Sequence, residues 1–590
     1  MKQLYTPWGQ ELDKTNVLSE YPRPQMKRDS YLNLNGYWDY AIYKNEITSN
    51  FDGKILVPFS PESVLSGVSQ FVTPDDYLHY HRTVVLPNDF LKERIILHFG
   101  AIDQEAKIYI NNQFVIHHLG GFISFQIDIT DYIKGNEFDI YIIVRDITDT
   151  SYRQTGKQRI KRGGIFYTPQ SGIWQTVWLE SVLKEYIKDY TITIDYDTSK
   201  VFFKLVTNHE IKDLIKIKIF FKDKLILEQE FNDFSFSIYL EDKKSWTPDN
   251  PNLYDFEIIY KQDIVKGYFG MRKFERVLDE FNKMRFYLNN EPYFLSGVLD
   301  QGYYPDGLLT PPSDMAMIYD IQTMKDLGFN LLRKHIKIEP LRWYYHCDRI
   351  GMIVWQDMIN GSARKDMIFH GGLALANIHL SDKNYCLFGR KSIEGRKQYQ
   401  IELDEMLNHL KNVTSIATWV PFNEAWGQFD SLSIAKHVLK TDSTRLIDHA
   451  SGWSDQKGGD YYSRHIYFKK IKFSQKNAKK RILALTEFGG YSLMLQEHSY
   501  HPEKVFGYKK FDTIQSLEDA VCHLYETEVL PEIDKGLSVL IYTQLSDVED
   551  EVNGLLTYDR KILKIDADKL IDINKKLNQR FNNLYIKKLE

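Results

Sequence analysis

Two short apolar runs in this chain end in glutamate. Ile416-Ala417-Thr418-Trp419-Val420-Pro421-Phe422 leads into Asn423-Glu424, and Ile482-Leu483-Ala484-Leu485-Thr486 leads into Glu487, followed by Phe488-Gly489-Gly490. A carboxylate at the end of a buried strand is costly to place near a core unless something pairs or uses it. Two of them, 63 residues apart, are what a barrel enzyme would need to set an acid/base group facing a nucleophile.

The elements that must position them follow from the local pattern. After about residue 276, short apolar strands alternate with amphipathic helices. Strands are expected near 293–298, 329–334, 352–356, 416–422, 445–449, 462–467, 482–486 and 538–543, with helices at 313–327, 340–350, 396–410, 430–440, 516–532 and 565–579. Eight strands with interleaved helices in about 310 residues is the arithmetic of a (β/α)8 TIM barrel. The stretch 360–395 is longer than a usual barrel loop, and after the third strand it would lie over the site as a lid or wall.

Upstream the chain is β-rich. Residues from about 30 to 180 read as short strands separated by turns, among them 94–99, 106–110 and 138–144, with Asn111-Asn112 as a hairpin turn. This is a β-sandwich of jelly-roll type. From about 184 to 275, strands such as 190–194, 215–219 and 234–238 alternate cleanly, as half-exposed strands of an immunoglobulin-like sandwich do. The expected domains are 1–183, 184–276 and 277–590.

Composition narrows the function classes. A net charge of -5 over 590 residues gives no dominant electrostatic attraction to nucleic acid or membrane. No run of 18 apolar residues exists, and the first residues carry no apolar leader, so a cytoplasmic protein is expected. Cys347, Cys386 and Cys522 are scattered and odd in number, neither a disulfide framework nor a zinc site.

In such a barrel the working side chains stand where strands end and the following loops begin. Asp300 follows the first expected strand, Arg333 and His335 end the second, and Asp357 follows the third. Asn423 and Glu424 end the fourth, Tyr467 the sixth, Glu487 the seventh, and Tyr542 and Gln544 the eighth. One polar residue at a strand end means little; one at nearly every strand end of one face is hard to explain by packing.

These segments resemble glycoside hydrolase family 2, and the resemblance covers nearly the whole chain. Asn423-Glu424-Ala425-Trp426-Gly427 matches the family's acid/base motif and Thr486-Glu487-Phe488-Gly489 its nucleophile motif. Ser171-Gly172-Ile173-Trp174-Gln175-Thr176-Val177-Trp178-Leu179 matches the end of its sugar-binding-like sandwich, and Phe269-Gly270-Met271-Arg272 the closing strand of its immunoglobulin-like domain. Asn330-Leu331-Leu332-Arg333-Lys334-His335 corresponds to the family's Asn-x-x-Arg-x-x-His segment with one residue fewer before the His. The resemblance implies an exo-acting retaining glycosidase with Glu424 as acid/base and Glu487 as nucleophile, their carboxyls about 5–5.5 Å apart. Arg333 is expected to keep Glu487 ionised, while that anion and partial burial keep Glu424 protonated. Asn423 is expected on the sugar's 2-hydroxyl, Tyr467 on Glu487, and Asp300, His335 and Asp357 on other hydroxyls. Trp426 or Trp453 would form an apolar platform, and Tyr542 stands where many members place a sugar-stacking Trp. No cofactor is required and no metal ligands are evident, although some family β-galactosidases use auxiliary magnesium. Family members often form homo-oligomers.

The glycone expected from the family is a β-galactoside. Departures qualify that expectation. Leu299-Asp300-Gln301-Gly302 replaces the basic Asn-Arg-His-Glu-like segment of typical members, and no convincing Asn-x-Lys motif for a glucuronide carboxylate is present. Lys334 and Lys337 are expected to point outward. A β-D-galactofuranosidase or α-L-arabinofuranosidase is the same-family alternative, and a non-catalytic carbohydrate-binding protein the alternative of another class.

Overall fold

The structure, a computed structural model, describes residues 3–47, 50–210, 213–362, 367–376 and 378–586. The N-terminal sandwich packs a four-stranded antiparallel sheet against a six-stranded one, around a core that includes Trp38, Ile55, Leu97, Ile108, Ile140 and Leu179. Asn111 and Asn112 adopt φ of +48° and +64°, the left-handed pair that a tight hairpin turn requires, and the flanking strands pair Ile110 with Gln113. The second sandwich has sheets of three and four strands, with alternate residues such as Ile215, Ile217 and Ile219 buried.

The segment before the first sandwich straps onto other parts of the molecule. Thr6 donates through its backbone and its hydroxyl to Asp306, at 2.8 and 2.6 Å. The expected boundary at 276/277 falls inside strand Phe274–Leu278, which pairs with Met284–Leu288. Phe274 and Phe286 share one buried cluster with the lower barrel lumen, so this hairpin floors the barrel.

The barrel strands are β1 (Leu295–Asp300), β2 (Leu331–Lys334), β3 (Ile353–Asp357), β4 (Ile416–Val420), β5 (Leu446–Ile447), β6 (Tyr461–Ile466), β7 (Ile482–Gly489) and β8 (Leu537–Thr543). All ladders between them are parallel. The ladder runs β5-β4-β3-β2-β1-β8-β7-β6, and the β5–β6 seam is bridged by Asp460, whose N–H donates to Ile447 O and whose carboxylate accepts from Ile447 N, both at 2.8 Å. Alternation sorts the side chains. Leu331, Ile353, Trp355, Tyr461, Ile482, Val539 and Ile541 fill the lumen, while Val298, Leu332, Val354, Leu485, Leu540 and Tyr542 join the larger core beneath the helices.

Helices form where the sequence supplies caps. Ser313 accepts from Ala316 N at the start of helix Asp314–Asp326. Helix Leu341–Ile350 ends on Gly351 at φ +83°, where a Cβ would stand 2.3 Å from Pro248 O. Within 360–395 a helix spans Met367–Leu375; positions 363–366 and 377 of this expected lid lie outside the described residues. The described part forms a wall: Asp382 accepts from Ser431 and Gln428, and Arg390 donates to Gly427 O at 2.7 Å. The cysteines are free, Cys347 buried and Cys386 exposed. Among the described residues no helix is long and apolar enough to cross a membrane.

Asp348 ties the immunoglobulin-like domain to the barrel. Its carboxylate accepts from Ser415 N at 2.7 Å, Thr414 N at 3.2 Å and the Tyr268 hydroxyl at 2.8 Å, and its carbonyl accepts from Trp246 Nε1 at 2.7 Å. Asp348→Ala would strand the Ser415 and Thr414 N–H groups and the Tyr268 hydroxyl, while the carbonyl bond to Trp246 survives, at a cost of at least about 3 kcal/mol. A lowered urea midpoint is the expected result, and an unchanged midpoint would contradict the linking role.

Candidate active site

Glu424 and Glu487 reach the lumen by different backbone devices. Beyond β4 the chain bends at Glu424, with φ of +50° there and +62° at Ala425, the left-handed region that non-glycine residues occupy only when their surroundings enforce it. Glu424 N donates to Ser451 O at 3.0 Å and so holds the bend. In β7, strict alternation from Ile482 through Ala484 would turn Glu487 outward. A register shift between Leu485 and Phe488 against β8, with another between Arg464 and His465 of β6, instead pairs Glu487 with His465. The bulge aims the carboxylate inward.

The two carboxyls meet at His465. One oxygen of each glutamate and one ring nitrogen of His465 lie within 4.8 Å of one another. His465 Nδ1 is 2.8 Å from Glu424 Oε1 and 3.4 Å from Glu487 Oε2. Its Nε2 stands 3.4 Å from Arg333 Nη1, which can only donate. Nε2 therefore accepts and Nδ1 carries the proton, directed at Glu424. Burial pushes this imidazole down to about 4, so it is neutral at physiological pH. Three such ligand types could in principle hold a metal ion. Here the imidazole proton is committed to Glu424 and a guanidinium already stands beside Glu487, an arrangement that suits proton sharing between carboxyls.

Arg333, fully buried, organises the floor. It grips Asp357 in a two-pronged pair at 3.0 and 3.0 Å, and it donates to Glu487 Oε1 at 3.3 Å, Thr486 O at 3.1 Å and Asn423 Oδ1 at 2.8 Å. The Asn423 amide is thereby oriented, and its buried Nδ2 has no partner among the described residues. Tyr467 donates to Glu487 Oε2 at 2.6 Å, and its oxygen lies 3.0 Å from Thr543 Oγ1.

Burial raises both carboxyls, Glu424 to about 7. For Glu487 the rise is opposed by His465, Arg333 and the Tyr467 hydroxyl, and reinforced by Glu424. For Glu424 it is opposed by the charges of Lys157 and Arg333. Burial is thus the main force holding a proton on Glu424, rather than the neighbouring anion.

The fold also brings His335 and Asp357 together, with His335 Nδ1 at 2.7 Å from Asp357 Oδ2. It does not bring Asp300 or Tyr542 into this cluster. Both have the parity of the helix-facing side. Asp300 accepts from Lys334 Nζ at 2.6 Å and Gly302 N at 2.8 Å, and the Tyr542 ring packs with Phe488 and Tyr525. Lys334 and Lys337, expected to point outward, are buried and paired with Glu339 at 2.8 Å each. Trp426 is buried and stacked on Phe166 at 5.1 Å, so its ring is engaged within the protein. Trp453 is half-buried, and a Cβ on Gly371 would stand 3.5 Å from its ring, at the rim wall. Sequence reasoning passed over His465, Thr543, Tyr508 and Lys157. His465 lies two before Tyr467 and shares its strand face, a signal that was legible. Tyr508 stacks on Tyr467 at 3.6 Å from a distant loop, and no spacing announces it. A separate cleft of about 420 Å³ lies where the three domains meet and includes none of these groups.

Comparisons with known proteins bear on this architecture. A family model described as glycosyl hydrolases family 2, sugar binding domain, matches residues 68–183, and one described as the TIM barrel domain of the same family matches 280–484. A beta-galactosidase of Thermoanaerobacter pseudethanolicus is 24% identical over 358 residues, covering 56% of this chain and 47% of the relative. A beta-glucuronidase of Streptococcus agalactiae is 22% identical over 431 residues, 68% of each chain. The chain thus spans about half the length of the first of these relatives. Among solved structures, an uncultured Clostridium sp. beta-glucuronidase superposes with a TM-score of 0.74 at 17% identity, covering 94% of this chain and 99% of that one. A beta-galacturonidase of Eisenbergiella tayi gives 0.68 at 16%, covering 94% and 98%. With both domain types matched in order and the fold shared from end to end, the chain belongs to glycoside hydrolase family 2.

Proposed function

We propose that this chain is a retaining exo-glycosidase that removes a terminal sugar by double displacement. The observation that carries the reading is the approach of the Glu424 and Glu487 carboxyls to within 4.8 Å of each other and of His465. That spacing suits direct attack and leaves no room for the intervening water of an inverting enzyme, which needs about 6.5–9.5 Å. Glu487, beside Arg333 and Tyr467, attacks the anomeric carbon. Glu424, held protonated by burial, gives its proton to the leaving oxygen. Once Glu487 is esterified its charge is gone, and Glu424 loses its proton to activate water. His465 donates to Glu424 and keeps the two carboxyls apart. Asn423, fixed by Arg333, has an amide donor to offer the 2-hydroxyl. His335 and Asp357 hold one another and can meet further hydroxyls, with Trp453 at the rim.

A terminal β-hexopyranoside is the glycone class. The relatives' names supply two versions, a galactoside and a hexuronide, which differ in whether the terminal sugar carries a charge. No observation favours the furanoside alternatives, and the intact carboxyl pair speaks against a purely binding role. A p-nitrophenyl panel of β-galactopyranoside, β-glucuronide, β-mannoside, β-galactofuranoside and α-L-arabinofuranoside should show pyranoside hydrolysis that Glu424→Gln abolishes. Release from furanosides alone would contradict the glycone class.

Glu487→Ala should cut kcat/KM by at least about 10⁴-fold, and azide should restore turnover of an activated substrate as a glycosyl azide of inverted configuration. An unaltered rate, or no rescue, would remove Glu487 as nucleophile.

The pH profile follows from the protonation states. Activity needs Glu424 protonated, so kcat/KM should fall as pH rises through about 7. It needs Glu487 ionised, so the acid limb should lie above the ordinary carboxylate range. A profile flat from pH 6 to 9 on a substrate with a poor leaving group would contradict the acid role of Glu424.

A further inference from the structure

Among the described residues four lysines are buried: Lys157, Lys334, Lys337 and Lys564. Three of them are neutralised. Lys334 meets Asp300 and Glu339, Lys337 meets Glu339, and Lys564 meets Asp547 at 2.7 Å. Lys157 is different. Among the described residues its ammonium has no ion pair and no hydrogen bond, and its close contact is the ring of Trp426, 4.9 Å to the centroid. A residue only 7% exposed whose ammonium no carboxylate holds in an ion pair is placed to pair with an anionic group that enters.

The fold places this cation deliberately. Lys157 lies on the sandwich loop between strands Glu137–Arg145 and Gly172–Ile173. That loop is clamped onto the barrel mouth, since Thr155 N and Gly156 N both donate to Asn360 O, at 3.0 and 2.8 Å. Gly156 sits at φ +60°, and a Cβ there would stand 2.9 Å from Ile336 O. Behind Lys157, Tyr167 N donates to its carbonyl at 3.0 Å and Gln158 Nε2 donates to Asp103 at 2.8 Å. The charge of Lys157 is felt by Glu424, His335, Asp357 and His465. Those residues come from strands β2, β3, β4 and β6 or the turns just beyond them. The ring it contacts belongs to Trp426, two residues beyond Glu424, and its loop is pinned to Asn360, three residues beyond Asp357, so the ammonium stands at the barrel mouth beside the acid/base turn, where a sugar bound against Glu424 can meet it.

We propose that Lys157 is the charge-reading residue of the glycone subsite, its ammonium pairing with an anionic group on the terminal sugar. The group is the carboxylate of a hexuronide or the charged ester of a sulfated or phosphorylated hexose. The proposal rests on the glycosidase reading above. It also supplies a cation that the missing Asn-x-Lys motif does not, delivered by the N-terminal domain.

The test compares selectivity ratios in the full chain. In wild type, kcat/KM is measured for p-nitrophenyl β-glucuronide, β-galacturonide, β-galactoside, β-galactoside 6-sulfate and β-galactoside 6-phosphate. One anionic class should exceed the neutral galactoside, and the arm that does so identifies the source of the charge. Lys157→Met should lower the ratio of anionic to neutral kcat/KM by at least about 30-fold, and Lys157→Arg should keep most of it. The ratio does not depend on how much of a variant folds, and an effect of Lys157 on Glu424 acts on every substrate and largely cancels. An unchanged ratio in Lys157→Met, or a wild type that favours the neutral galactoside, would overturn the proposal. If wild type hydrolyses nothing, the glycosidase reading fails separately, and thermal shifts still judge Lys157. Stabilisation by glucuronate, galacturonate or galactose 6-sulfate, lost in Lys157→Met, would uphold its anion site; no difference between charged and neutral sugars would sink it.

Discussion

One buried guanidinium sets the terms for the site. Arg333 is fully buried and remains charged despite burial, because Asp357 and Glu487 surround it. Removing such a group from water costs several kcal/mol, recovered only when its donors are all used in good geometry. Here the planar fork satisfies Asp357 on one edge and reaches Glu487, Thr486 and Asn423 on the other. Because the fork is rigid, it fixes the separation of strands β2, β3, β4 and β7 at the mouth. It also orients Asn423 and donates to His465, which settles the imidazole tautomer and hence the direction of the proton held against Glu424.

The carboxyl pair is therefore asymmetric in its supports rather than in its burial. Both glutamates are desolvated. Glu487 has Arg333 and Tyr467 on its two oxygens, while Glu424 has the His465 N–H and a strained backbone that projects it across the pocket. The N-terminal sandwich takes part as well. Its loop carries Lys157 over the barrel and Tyr167 onto Glu551, so the pocket is completed only when the domains dock. The Asp348 contacts between the immunoglobulin-like domain and the barrel serve that docking.

Much of this was legible in the chain. All eight barrel strands lie within a few residues of their expected positions, because each is a short apolar run flanked by amphipathic helix. The two glutamates announced themselves as charges at the ends of such runs. Strand parity was the information left unused. Asp300 and Tyr542 sit at strand ends as expected, yet counting by twos from the lumen residues Leu295 and Val539 shows that they face the helices, whereas Thr543, and His465 counted from Tyr461, face the lumen. Glu487 breaks that count through a bulge, which no count by twos can foresee. Tyr508 and Lys157 arrive from a distant loop and another domain, so only the packed structure reveals them. Lys334 and Lys337 looked like surface lysines because nothing nearby in sequence marks the buried cluster with Asp300 and Glu339.

The central claim is that two carboxyls this close act by covalent double displacement. The most direct measurement is the anomeric configuration of the first product, followed by proton NMR while an activated β-glycoside is hydrolysed. The β-anomer should form first, with the α-anomer growing only by mutarotation. Initial release of the α-anomer would mean direct attack by water, and would contradict the account.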